Sequence, residues 1–184
     1  MKKLLFVFCS VVAVMFASCN EKKTEPVQTV EDSLEVVDPD TTLYGVCGEG
    51  TSMHSLELVT DDGKVINLLV DAEDADSDPV KGGLLSGDRL AVLMSVVKGD
   101  TVADRVINLT TLEGKWTSLD RNFEIVQGGE VLSTLQSESN PYTSWKVHNG
   151  QLLLGKDSFD VITLGADSLE LENSRGIFVY KRQK

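Results

Sequence analysis

From Leu43 to Arg182 the apolar residues come in short runs, and nearly every run is closed by glycine. Leu56 and Leu58 alternate with Ser55 and Glu57, which gives one face apolar and one face polar side chains. Asp61-Asp62-Gly63 follows as a turn, with glycine available for positive φ. Short strands, glycine turns and no helical period predict an all-β barrel or sandwich.

Five strands are predicted in the first half, at 43–47, 55–60, 65–70, 89–97 and 101–109. The order is three strands, a long polar connection (71–87), then two strands. An OB-fold has this order, so residues 43–110 resemble a five-stranded OB-like barrel. The segment Gly82-Gly83-Leu84-Leu85-Ser86-Gly87 is too glycine-rich for the helix often found in that connection. OB-folds often bind oligonucleotides, but this segment has five basic and twelve acidic residues. Nucleic acid affinity rests on Lys and Arg against phosphate, so no nucleic-acid partner is expected.

Residues 111–184 predict a small antiparallel β-meander or barrel. Its strands are placed at 122–126, 130–135, 144–147, 151–154, 158–164, 168–172 and 177–181. Asn149-Gly150 between Trp145/Val147 and Leu152/Leu154 is a strong hairpin signal. Gly114-Lys115-Trp116 opens the unit. Trp145, Leu152, Leu154, Phe159-x-Val161, Asp167-x-Leu169-x-Leu171 and Tyr180-Lys181-Arg182 follow. These residues resemble the short lipocalin-like domains of Bacteroidetes-type lipoproteins. The resemblance implies a structural pair between Trp116 and a late basic residue, Arg182 or Lys181. It covers 112–182, and about 70 residues are too few for eight long strands round a roomy cavity. Trp116, Phe123, Trp145, Phe159 and Tyr180 would line a small apolar site if one exists. The other reading is that they fill the core, as small barrels are filled by their own side chains.

The amino terminus reads as an export signal. Met1-Lys2-Lys3 precedes an uncharged run from Leu4 to Phe16, and the chain turns polar directly after Cys19. That run is shorter than the roughly 20 residues a membrane-spanning helix needs. Phe16-Ala17-Ser18-Cys19 resembles a lipobox. The resemblance implies that residues 1–18 are removed and that Cys19 is acylated, with membrane contact through that lipid. The alternative is ordinary cleavage after Cys19, with Ala17 and Cys19 as the small residues and no lipid. Residues 19–42 carry seven acids against two lysines and read as a flexible acidic tether. The expected location is the cell envelope, most directly the outer membrane.

Loss of Lys2 and Lys3 takes the 17 basic residues to 15 against 29 acids, a mature net charge of −14. Cys9 leaves with the signal and Cys19 takes lipid, so Cys47 is the one thiol left and no internal disulfide forms. Cys47 and His54 flank a glycine-rich turn, which permits a thiolate–imidazole pair. A lone cysteine in an apolar strand more often packs as a small core residue. Asp74-Ala75-Asp76-Ser77-Asp78 has the alternation of a calcium loop but lacks its glycine and its closing glutamate. His148 sits at a hairpin turn, which predicts solvent exposure. No catalytic set, no metal site and no cofactor is expected. The function expected is a non-enzymatic binding module for a small apolar ligand or glycan. The alternative is an interaction or structural subunit of an envelope complex.

Overall fold

The computed structural model describes residues 38–70, 78–133 and 140–183. Residues 38–184 form one compact unit, and it is all-β, built on two barrels.

The first barrel uses β1 (Leu43–Cys47), β2 (Ser55–Thr60), β3 (Val65–Leu69), β4 (Val80–Lys81), β5 (Arg89–Val97) and β6 (Asp100–Asn108). The order is β3-β2-β1-β5-β6-β4. A parallel pairing of Leu69 with Val102 brings β3 back to β6 and closes five strands into an OB-like barrel. The two-residue β4 adds a second parallel contact, Val80 with Val106. The chain reverses between β5 and β6 at Lys98 and Gly99, both at positive φ. That geometry matches the right-handed twist of the flanking strands. A bulge at Leu93/Met94 bends this long hairpin, as an extra residue on one strand does. The interior is Cys47, Leu56, Leu58, Leu68, Val70, Leu90, Val92, Ala103 and Val106, with no aromatic ring.

A single helical turn, α1 (Leu109–Leu112), joins the barrels. Asn108 is wholly buried and caps it. Its Oδ1 accepts from Thr111 N, while Nδ2 donates to Gly83 O and Asp88 Oδ2. A buried amide with its donors and acceptor matched costs little, whereas an unmatched one is expensive.

The second barrel is β7 (Gly114–Thr117), β8 (Asn122–Val126), β9 (Glu130–Ser133), β10 (Trp145–His148), β11 (Gln151–Leu154), β12 (Asp157–Leu164), β13 (Ser168–Asn173) and β14 (Gly176–Arg182). The eight strands run in chain order, and β14 returns to β7 through Lys181–Thr117 and Arg182–Trp116. Val131 N to Thr143 O and Trp145 N to Gly129 O tie β9 to the approach of β10. The sheet is therefore a nearly closed up-and-down barrel. Strands of four to eight residues reconcile eight strands with so short a segment. The sequence reading did not place β7, because four residues with one buried tryptophan give no alternation to recognise.

The barrels share packing. Ala91, Ile107, Leu109 and Leu112 join the apolar cluster of the second barrel. Tyr44 Oη donates to Val147 O at 2.7 Å, and Arg105 pairs with Asp160 at 2.5 Å.

Residues 38–42, read as part of the tether, lie on the β10–β11 turn. Thr41 N and Oγ1 donate to Asn149 Oδ1, and Asn149 N donates to Thr42 Oγ1. Asn149 Nδ2 reaches Pro39 O at 3.1 Å. Asn149 stands at φ +46°, a conformation asparagine tolerates better than most residues. Proline and acids alone argue for an extended coil. The threonines and the turn amide supply the bonds that hold it.

Candidate functional site

The Trp116–Arg182 pair forms. The Arg182 guanidinium carbon sits 4.2 Å from the Trp116 ring centroid. Its Nη1 donates to Glu113 O at 2.8 Å and its Nε to Ala166 O at 2.6 Å; Nη2 donates to Thr111 O. Trp116 Nε1 donates to Leu112 O at 2.8 Å. One planar cation thus satisfies carbonyls at the end of α1 and in the β12–β13 turn. Gly114 is required at φ +130°, and a Cβ there would collide with the guanidinium. Lys181, the other candidate, points outward. The pair lies where β14 meets β7.

Trp116, Phe123, Trp145, Phe159 and Tyr180 are all buried. Phe123 meets Tyr180 and Tyr142 edge-to-face, with centroids 5.0 Å and 5.7 Å away. Phe159 meets Tyr142 at 6.3 Å and Phe178 at 5.7 Å in the same way. Such separations are those of rings in direct contact. The barrel lumen is therefore filled by its own side chains.

Of the five, Trp145 also borders a surface cleft, of about 410 Å³, where the barrels meet. Its indole Nε1 donates to Val126 O at 2.7 Å, which fixes the ring beside the β8–β9 turn. Across the cleft stand Tyr44 from β1 and Arg89 from β5. The Arg89 guanidinium is held by both carboxylate oxygens of Asp61 and lies 6.0 Å from the Tyr44 ring. Its hydrogen bonds to Asp61 hold that carboxyl below the usual range. Glu113, just after α1, forms the floor with Leu109, and burial pushes its carboxyl upward. Gln127, Gly128, Gly129 and Lys146 complete the rim. Both glycines are at positive φ, and a Cβ on Gly128 would touch nothing within 4 Å. The rim is open there and the backbone is approachable.

No protein-family model, curated protein or solved structure matches this chain. The cleft is accordingly read from its chemistry. It offers one aromatic wall, an exposed ammonium, a fixed guanidinium, an amide and a carboxyl whose pKa burial raises.

Cys47 is buried, with Sγ 3.3 Å from Thr51 Oγ1. His148 is less exposed than a turn position predicts, because its Nδ1 lies 3.2 Å from Asp40 of the pinned lead-in. Cys19 and residues 74–77 of the acidic alternation lie outside the described residues. Among the described residues, no three His, Cys, Asp or Glu side chains are grouped to hold a metal ion. No described helix is long and apolar enough to cross a membrane.

Sequence reasoning missed Tyr44, Arg89, Glu113, Gln127 and Lys146. They come from five separate segments, and each reads locally as an ordinary strand or turn residue. The one available signal was the barrel order itself, which makes a junction between two β units and hence a concave seam.

Proposed function

We propose that the chain is a lipid-anchored, non-enzymatic binding module of the cell envelope, held by Cys19 at the outer membrane, that meets its ligand outside its barrels. The packed interior of the second barrel carries this reading: among the described residues, Phe123, Tyr142, Phe159, Phe178 and Tyr180 meet edge-to-face where an apolar guest would have to lie. The lipobox-like Phe16-Ala17-Ser18-Cys19 supports the anchor. The burial of Cys47, the one thiol that would remain, supports a non-catalytic role.

Two measurements test it. Intact mass of membrane-extracted protein should show acyl chains that Cys19→Ser lacks; an unacylated soluble chain would refute the anchor. Titration with an apolar fluorescent probe should show no saturable uptake by the wild type, whereas Phe159→Ala should admit the probe. Tight wild-type uptake would place the ligand inside the barrel after all.

A second reading, an interaction subunit, is favoured by one edge. On its β7 side, β14 is paired at Lys181 and Arg182. Ile177 and Val179, 61% and 53% exposed, have no described strand beside them on that side. An open apolar edge is where an extended segment of a partner can add as a further strand. Loss of an envelope crosslink in Val179→Lys would favour this reading, and an unchanged crosslinking pattern would speak against it.

A further inference from the structure

We infer that the cleft between the barrels takes a short acidic saccharide, one or two hexuronate rings long. The inference rests on the binding-module reading and names the site and the ligand class. The cleft volume of about 410 Å³ falls in the size class of small-ligand sites, roughly 300–1,000 Å³. Its lining is mixed rather than apolar. The half-buried Tyr44 ring forms part of the cleft wall, an apolar surface for the C–H side of a pyranose. Gln127 offers an amide with two donors and an acceptor, and the half-buried Glu113 carboxyl can accept from a hydroxyl. An apolar guest would pair with neither group and would take water from the half-buried Glu113, which costs about 1–3 kcal/mol. A polyhydroxylated ring satisfies them.

The unpaired cation on the rim selects an acid. Lys146 is exposed on the cleft rim and has no acidic partner among the described residues. This is a free ammonium on a chain of net charge −12. Arg89 is different, because Asp61 occupies both of its terminal nitrogens. That leaves one cation for the ligand, enough for a carboxylate. Phosphate recognition favours bidentate guanidinium forks, and the one fork here is already taken. The Gly128-Gly129 turn, without side chains, lets the sugar ring come close to the backbone.

The test is calorimetry on the full-length chain in detergent with digalacturonate, and with lactose as the neutral disaccharide. Saturable digalacturonate binding is expected, with lactose at least about tenfold weaker, the ratio one charge-assisted hydrogen bond supplies. Lys146→Ala should weaken digalacturonate about tenfold and Gln127→Ala a few-fold, while Lys156→Ala, a surface lysine away from the cleft, should change nothing. Lys146, Gln127 and Lys156 are exposed, so unchanged melting temperatures would confirm that the variants fold. Equal affinity for lactose, or no binding of either sugar, would overturn the ligand class. Digalacturonate binding that survives both cleft variants would overturn the site. In neither case is the binding-module reading decided, since the probe titration and the mass measurement judge that separately.

Discussion

The two barrels solve the same packing problem with different side chains. Five strands enclose a narrow interior, and Leu, Val, Ala and Cys fill the first barrel without a single ring. Eight strands enclose a wider one, and the second barrel packs Trp116, Phe123, Tyr142, Trp145, Phe159 and Tyr180 into its core. They also close differently. The first relies on a parallel contact between β3 and β6, far apart in the chain. The second is a succession of hairpins whose last strand meets its first. Lumen width follows from strand number, and it decides whether aromatic residues are core or lining. Aromatic enrichment in a small β unit therefore does not by itself announce a ligand.

Substitutions at five positions and one pH scan would break or sharpen this contrast. The largest loss is expected for Phe159→Ala, about 3–5 kcal/mol with a void left in the second barrel. Leu58→Ala, its counterpart in the first barrel, should cost about 2–5 kcal/mol and leave a smaller void. Denaturant unfolding measures both. If the shared apolar seam makes the barrels one cooperative unit, each variant gives a single transition, and two transitions would divide them.

Arg182→Ala should come next, about 2–4 kcal/mol, because it strips three carbonyls of a charged donor and uncovers Trp116. Arg182→Lys should restore only a minor part, since an ammonium cannot reproduce the planar fork. Full rescue by lysine would mean that charge alone matters there.

Asn149→Ala should cost about 1–2 kcal/mol, losing the bonds to residues 39–42 and forcing alanine to positive φ. Asn149→Gly keeps the backbone and loses only the side-chain bonds, so it should cost less. Equal costs would assign the whole effect to the bonds.

The smallest effect is on pH. Lys64 and then Thr60 hold Asp62, at the β2–β3 turn, down to about 2. Asp160, despite burial that would raise it, is held low by Arg105 and Gln151. Carboxyls lowered in the folded state stabilise it above their unfolded value of 3.8, and that contribution fades as pH falls toward 2. Glu113 has the opposite sign: raised by burial, it weakens the fold once ionised. Melting temperature should therefore fall on acidification below about pH 4. Glu113→Gln should raise it slightly at pH 7 and leave it unchanged at pH 3. A flat acid limb would show that these exposed pairs contribute nothing measurable, as many do.

Much of this was legible. Glycine turns bounded the strands because a two-residue reversal needs positive φ, as at Asn149-Gly150 and Lys98-Gly99. The three-then-two strand order foretold the first barrel. Trp116 and Arg182 were named 66 positions apart, and they meet through the strand pairing that closes the barrel. What escaped was non-local and without period. β4 has two residues, α1 has four, and neither has length enough for a pattern. The cleft escaped for the same reason, since Tyr44 and Lys146 become neighbours only after both barrels have closed. The pinning of residues 38–42 needed the position of a turn more than a hundred residues away.

That pinning has a mechanical consequence. A protein moored by its amino terminus feels every tug through the chain that leads into its first strand. Under the proposed Cys19 anchor, the line of force would meet Thr41 and Thr42 before it reached β1, and their bonds to Asn149 would pass the load sideways to the second barrel. The contact acts as a strain relief, like the clamp that spares a plug its wires. The hydrogen bonds of β1, which the first barrel needs to stay closed, are shielded from tension until the clamp gives way.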